Sequence, residues 1–210
     1  MQITEPTTMV TDYLLALLTI FLGAGLWKRG KATRQRSISL WSAAFLATAV
    51  AAAVGGTSHG FALYLSDWGR TAIWKATVYA IGLASLLMLA GTVLATTVGR
   101  ARKILLTAAV LQFLLYAVWM VSHDDFKYVI YDYAPAMLVI IALMLFSFVA
   151  RKAASAPWLI GGILLSFAAA GIQQSGFSLH PNFNFNDLYH VVQMGAMIVL
   201  YRGARQLQDR

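Results

Sequence analysis

The sequence predicts an all-α integral membrane protein, a bundle of seven transmembrane helices, and three observations lead to this fold class. Hydrophobic residues make up 60% of the 210-residue chain and charged residues 11%, whereas soluble domains carry about 25% charged residues. Seven apolar runs follow one another along the chain, and a membrane helix needs about 20 such residues. Basic residues collect in every second connection between these runs, as the positive-inside rule describes.

The predicted spans fill the chain and form a single domain, residues 1–210. They cover approximately residues 9–27, 38–63, 71–98, 104–122, 129–149, 157–172 and 186–201. The first run is interpreted as a membrane helix and not as a cleaved signal peptide. Glu5 and Asp12 stand where a signal peptide would carry its basic region. The connections are too short to hold a soluble domain.

The charge distribution predicts the orientation. Thirteen of the 16 basic residues follow the first, third, fifth and seventh spans, and of the eight acidic residues only Asp209 joins them. This side is expected in the cytoplasm, which places the C-terminus inside and the N-terminus outside. We expect a bacterial inner membrane, because the loops are short. The basic residues lie in the connections between spans, where they orient the protein in the membrane, and no basic patch is left to bind phosphates. The expected partner is therefore the lipid bilayer and not a nucleic acid.

Two polar segments lie near the predicted outer face, where ionisable groups inside a span indicate a functional site. The first is Gly-Gly-Thr-Ser-His-Gly at 55–60. Gly56 and Gly60 have the spacing that lets neighbouring helices approach closely, so one interpretation is a packing motif. The other is a ligand-binding pocket in which His59 is a ligand and Ser58 lies beside it.

The second polar segment, residues 184–193, opens the seventh span. Asn184 or Asn186 can cap this helix, and Asp187 in its first turn complements the helix dipole. Capping does not explain His190 and Gln193. Helical spacing puts Asn186, His190 and Gln193 on one face, and such a face must contact protein or water rather than lipid. His190 is therefore the strongest single candidate for function.

Other polar residues of the outer side have two interpretations each. His180, in the long loop before the seventh span, is a surface residue, or it folds back as a lid or a third metal ligand. Asp67, just before the third span, is a helix cap or a site carboxylate. Asp132 is a candidate partner for Lys75 or Arg70, and Lys75 is expected to pair with an aspartate or to reach the interface.

Seven spans with Ser58, His59, Asp67 and His190 in these places resemble the CREST superfamily of seven-helix membrane hydrolases, which includes the alkaline ceramidases and the progestin and adiponectin receptors. That family carries a Ser and a His late in the second span, an Asp at the start of the third and an HxxxH pair early in the seventh. Here Asn186 replaces the first histidine of the pair. Gly55 stands where the family's serine precedes the histidine by one turn.

The resemblance implies a zinc-dependent hydrolase acting on a lipid amide or ester that enters between the helices. His59 and His190 would hold the zinc ion, and a third ligand would come from His180, Asp187 or Asp67. Zinc with an open position lowers the pKa of bound water to about 7 and polarises a carbonyl. Asp67 or Asp187 would move the proton, and Ser58 or Thr57 would hydrogen-bond the developing oxyanion.

Two further classes of function fit the same residues. The first is a non-enzymatic receptor, binding protein or assembly subunit with an outer polar pocket. The second is a redox protein in which two histidines on separate spans ligate a haem; the presence of histidines at only one membrane depth disfavours it. A retinal protein is disfavoured because the seventh span has no lysine.

Overall fold

The computed structural model describes residues 2–210, which fold into seven α-helices joined by short connections. The helices are α1 (Pro6–Thr33), α2 (Arg36–Phe61), α3 (Asp67–Thr96), α4 (Gly99–Ser122), α5 (Lys127–Arg151), α6 (Ala156–Ser175) and α7 (Phe185–Ala204). A 3-10 turn, Ala62–Tyr64, follows α2. The helices extend past the predicted spans because their polar last turns continue beyond the apolar residues from which the spans were read.

Six of these helices, α1 to α6, are long and apolar enough to cross a membrane, with mean hydropathies of 1.5 to 2.3. This is the pattern of a multi-pass membrane protein, and the predicted all-helical fold is confirmed for residues 2–210. The seventh helix was predicted as a span but is not among the six. Its first half is too polar, because it carries Asn186, Asp187, His190 and Gln193.

Six helices form a closed ring. Each helix packs against the next in the order α1, α2, α3, α5, α6, α7, and α7 returns to α1. The fourth helix lies outside this ring against α3 and α5. It buries only Ala109, Tyr116 and Met120, so most of its apolar surface faces away from the protein.

The two ends of the bundle differ in chemistry. We call the end where α1, α3, α5 and α7 begin the polar end, and the opposite end the basic end. Near the basic end the core is tightly packed around Trp41 and Phe45, which are fully buried. The chain terminus closes this end, because Asp209 accepts hydrogen bonds from the Arg36 and Ser37 amides at 2.6 and 2.9 Å and so caps α2.

Glycines let α1 and α2 approach closely near the polar end. A Cβ atom at Gly56 would lie 2.9 Å from the Cβ of Asp12, and one at Gly60 would overlap the Met9 side chain. The predicted packing role of these two glycines is therefore confirmed. The close approach brings the second turn of α1 against the last two turns of α2, and this contact forms one wall of the site.

Candidate functional site

A cavity of about 400 Å³ lies inside the ring of helices. All six ring helices contribute residues to its wall, whereas α4 contributes none. Toward the basic end the wall is apolar, formed by Leu15, Ala51, Ala52, Ala84, Met88, Met137, Met197 and Leu200. Toward the polar end it is polar, formed by Asp12, Ser58, His59, Gln173, Asn186, His190 and Gln193. The cavity thus has an apolar part and a polar part, arranged along the bundle axis.

Asp12 and His190 join α1 to α7 in the wall of this cavity. His190 Nε2 lies 3.1 Å from Asp12 Oδ1, and His190 Nδ1 lies 2.9 Å from Thr11 Oγ1. Asp12 is 4% exposed and His190 6%. Both ring nitrogens of His190 are therefore engaged, and the imidazole is fixed in position by two consecutive residues of α1.

The proton arrangement at His190 depends on Thr11. The Thr11 hydroxyl has one hydrogen, and it lies within reach of both the Thr8 carbonyl oxygen, at 3.0 Å, and His190 Nδ1. When the Thr11 hydroxyl donates to the Thr8 carbonyl, His190 Nδ1 donates to Thr11 Oγ1, and a proton lies between His190 Nε2 and Asp12 Oδ1. When it donates to Nδ1, the imidazole donates from Nε2 to the carboxylate. In both arrangements one proton lies between His190 Nε2 and Asp12 Oδ1.

A second carboxylate–imidazole contact lies nearer the polar end. His59 Nδ1 is 3.1 Å from Glu5 Oε2, and both side chains are partly exposed. Glu5 precedes Asp12 by two helical turns, about 10 Å along the axis. The Glu5 amide also donates to the His59 carbonyl, and the Thr4 amide to that of Gly60, each at 3.1 Å. The segment before α1 is therefore held against the end of α2.

Capping of α7 positions His190. Asn184 Oδ1 accepts hydrogen bonds from the amides of Asn186 and Asp187, at 2.8 and 3.2 Å. Asp187 Oδ2 in turn accepts from the Asn184 amide at 2.7 Å, which completes a capping box. Asn184 also donates to Thr8 Oγ1 of α1 at 3.4 Å. The start of α7 is thereby fixed against α1, and His190 follows one turn later.

The structure brings several predicted residues together at the cavity. Ser58, His59 and His190 all line it, and they come from α2 and α7. The predicted polar face of α7 also lines it, with Asn186 and Gln193 one turn on either side of His190. Sequence spacing therefore identified the α7 face that turns into the ring.

Three predicted site residues are not among those lining the cavity. Asp67 begins α3, its side chain is 96% exposed, and it pairs with Arg70. His180 is exposed in the loop before α7, where it forms a backbone bridge with Phe183. Asp187 is 1% exposed, but its carboxylate serves the helix cap. Asp187 takes part in the helix cap, as one interpretation predicted. Asp67 does not cap α3, because the cap is Ser66, whose side chain accepts a hydrogen bond from the Gly69 amide at 3.1 Å.

The suggested partners of Asp132 were wrong. Asp132 lies on α5 and contacts Gln112 of α4, whose Nε2 donates to the Asp132 carbonyl at 2.7 Å and to Oδ1 at 3.2 Å. Lys75 pairs instead with Asp124 at 2.6 Å. It also donates to the carbonyls of Met120 and His123 at the end of α4. Lys75 thus pairs with an aspartate, as expected, and caps a neighbouring helix.

A family model, described as a family of unknown function (DUF6962), matches residues 7–209. The chain belongs to this family. The match runs through all seven helices and includes the cavity and the Asp12–His190 contact, whereas Glu5, the partner of His59, precedes the matched residues. No curated protein and no solved structure matches the chain. The chemistry of this DUF6962 member must therefore be inferred from its own residues.

The residues at the cavity do not fit a zinc ion as they are arranged. A zinc centre needs three or four protein donors, and a histidine that binds zinc must offer a ring nitrogen with a free lone pair. Both nitrogens of His190 already contact Thr11 and Asp12. Within residues 2–210, no group of three or more His, Cys, Asp or Glu side chains lies close enough to hold a metal ion.

Sequence reasoning missed the α1 side of the site. Asp12 was used only as an argument against a signal peptide, although it falls inside the predicted first span. An aspartate within a span is itself a signal of function, and this signal was available. Thr11 and Gln173 carry no comparable signal, because hydroxyl and amide side chains are tolerated in membrane helices when they find partners.

Proposed function

We propose that this protein crosses the membrane seven times and binds a lipid-like molecule in the cavity between its helices. The observation that carries the proposal is the division of the cavity into an apolar part and a polar part along the bundle axis. Ligand sites are concave and mostly apolar, with a few polar groups that fix orientation. An amphiphile matches both parts at once: its chain contacts Leu15, Met88 and Met197, and its head group meets Asp12, His190 and Gln193.

The seventh crossing is supported by packing. Although α7 is too polar to qualify on apolarity alone, it packs against α6 and α1, both long and apolar enough to cross. Its polar face lines the cavity, where it does not meet lipid. With seven crossings the termini lie on opposite sides. By the positive-inside rule the basic end then lies in the cytoplasm and the polar end outside. The membrane that we propose is a bacterial inner membrane, because the loops are short.

A cavity-filling variant tests the binding proposal. Ala52 is 7% exposed and lines the apolar part, so Ala52→Leu places a larger side chain where the ligand chain would lie. Ala108 is an exposed residue of α4, outside the ring, and Ala108→Leu serves as the matched control. Native mass spectrometry of the purified protein measures bound amphiphile. We expect Ala52→Leu to reduce the bound fraction by about tenfold and Ala108→Leu to leave it unchanged. Equal occupancy in both variants would remove the cavity as the binding site.

Zinc-dependent hydrolysis of a lipid amide or ester stays a prediction and a second candidate. It is favoured by Ser58, His59 and His190 lining one cavity, and it requires His190 to leave its present contacts. Elemental analysis of the purified protein, beside His59→Ala and His190→Ala, separates the two functions. Near-stoichiometric zinc that is lost in both variants would support hydrolysis, and a folded wild-type protein without zinc would argue against it.

A further inference from the structure

The carboxylate of Asp12 is only half satisfied. Its Oδ1 contacts His190, but its Oδ2 is buried and has no hydrogen-bond partner. Buried carboxylate oxygens are normally paired, because an unpaired one loses its hydration without compensation. Oδ2 lies beside Gly55: a Cβ atom at this glycine would be 3.6 Å away. Both residues line the cavity, so a bound molecule can supply the missing donor there.

Other groups at the same end of the cavity also lack donors. Gln173 Oε1, on α6, is buried without a partner, and Gln173 lines the cavity. Asp187 Oδ1, just behind the wall on α7, is likewise unpartnered. All three unpartnered atoms are acceptors. The molecule that completes this site therefore carries hydrogen-bond donors at its polar end.

The charge at the polar end of the cavity favours one class of hydrogen-bond donor in the ligand. Asp12 lines the cavity, and two further carboxyl groups lie near it outside the wall: Glu5 contacts His59, and Asp187 is in the first turn of α7. The imidazoles of His59 and His190 are the basic side chains of the described cavity wall. The residues of that wall include no lysine and no arginine. A ligand with a carboxylate or phosphate head would be repelled, whereas an ammonium group both donates hydrogen bonds and compensates negative charge.

We infer that the ligand is a cationic amphiphile, an alkyl amine whose ammonium group binds Asp12 and whose chain lies in the apolar part of the cavity. This inference rests on the proposed binding function and specifies the ligand class. The ammonium donates one hydrogen bond to Asp12 Oδ2 and a second one to the side-chain oxygen of Gln173, Oε1. His190 retains its own contact with Oδ1, so it orients the carboxylate toward the ligand.

Dodecylamine, dodecanol and dodecanoate form a matched set of probes, with one chain length and a positive, neutral or negative head near pH 7. Native mass spectrometry in a neutral detergent measures their binding to the intact protein. We expect dodecylamine to bind about tenfold or more tightly than dodecanol, the size of effect typical of a hydrogen bond to a charged group. Dodecanoate is expected to bind more weakly than dodecanol.

Asp12→Asn keeps the shape of the side chain and removes its charge, and it should bring dodecylamine binding down to the level of dodecanol. Asp132→Asn is the matched control, because Asp132 is buried on α5 and does not line the cavity; it should retain the amine preference. If dodecanol binds wild type as tightly as dodecylamine, or Asp12→Asn keeps the preference, the amine inference is overturned while amphiphile binding stands. If no probe binds wild type, both proposals fail. The comparison of dodecylamine with dodecanol on the wild-type protein tests the amine inference even if Asp12→Asn does not fold.

Discussion

Asp12 and His190 place a carboxylate and an imidazole inside a helix bundle, at 4% and 6% exposure. Such a contact contributes little net stability, because desolvation of both groups offsets their attraction. Removal of one partner is different, since it leaves the other group buried without compensation. The two residues are therefore energetically coupled, and this coupling can be measured independently of any ligand.

We predict that His190→Leu lowers the free energy of unfolding by about 3–5 kcal/mol, because Asp12 then remains buried without its partner. Adding Asp12→Asn should cost less than the sum of the two single effects, since both changes remove one contact. Unfolding of detergent-solubilised protein by a chemical denaturant measures each variant.

The control for this cycle pairs His190→Leu with Asp132→Asn, whose contact with Gln112 is separate. These two effects should add. Additive effects for Asp12 and His190 as well would mean that the 3.1 Å contact carries no coupling.

At this scale, the sequence predicted one side of the site and not the other. His190 was identified because helical spacing aligned it with Asn186 and Gln193, and that face lines the cavity. Asp67 and His180 were candidates on sequence position alone, and their side chains lie elsewhere. Which residue of α1 contacts His190 depends on how α1 packs against α7. The spacing of residues along a single helix contains no information about this packing.

The contact between α1 and α2 determines how near Asp12 comes to the α2 segment that carries Ser58 and His59. Gly56 is buried against Asp12 and Tyr13 of α1, whereas Gly171 of α6 has no atom within 4 Å of its potential Cβ. The same substitution should therefore have opposite effects at the two positions.

Gly56→Ala is predicted to destabilise the protein by about 1–3 kcal/mol, because the new methyl group overpacks the α1–α2 contact. Gly171→Ala should stabilise it by about 0.5–1 kcal/mol, since it only removes backbone freedom from the unfolded chain. Thermal unfolding in detergent compares the two variants with wild type. Similar shifts of one sign would show that close helix approach at Gly56 is unimportant.

The existence of the helices could be predicted from the sequence, but their arrangement could not. Apolar runs identify α4 as readily as α3, yet α4 lies outside the ring. Lipid-facing and core-facing side chains are both apolar in a membrane protein, so hydropathy does not separate them. The polar face of α7 was the exception, because polar residues must turn inward.

At the scale of the whole molecule, the charge asymmetry predicts the orientation. The chain has no cysteine, so single-cysteine variants report accessibility without background. Ser178, in the loop before α7, lies at the polar end, and Gln208, in the C-terminal tail, at the basic end; both are exposed.

In intact spheroplasts, Ser178→Cys should react with a membrane-impermeant maleimide, and Gln208→Cys should react only after permeabilisation. The reverse labelling pattern would show that the protein has the opposite orientation in the membrane. Reaction of both cysteines in intact spheroplasts would show that α7 does not cross.

Because the chain has no cysteine, a single introduced thiol can also report whether the cavity is occupied. Ser58 lines the cavity one residue before His59, so the thiol of Ser58→Cys reports occupancy at the polar part, while Ser178→Cys reports an exposed loop. The measurement is the rate of labelling by a small thiol reagent with and without saturating dodecylamine. We expect the amphiphile to slow labelling of Ser58→Cys several-fold and to leave the rate for Ser178→Cys unchanged. Bound amphiphile that leaves the Ser58→Cys rate unchanged would contradict binding in the cavity, because the ligand would then lie elsewhere.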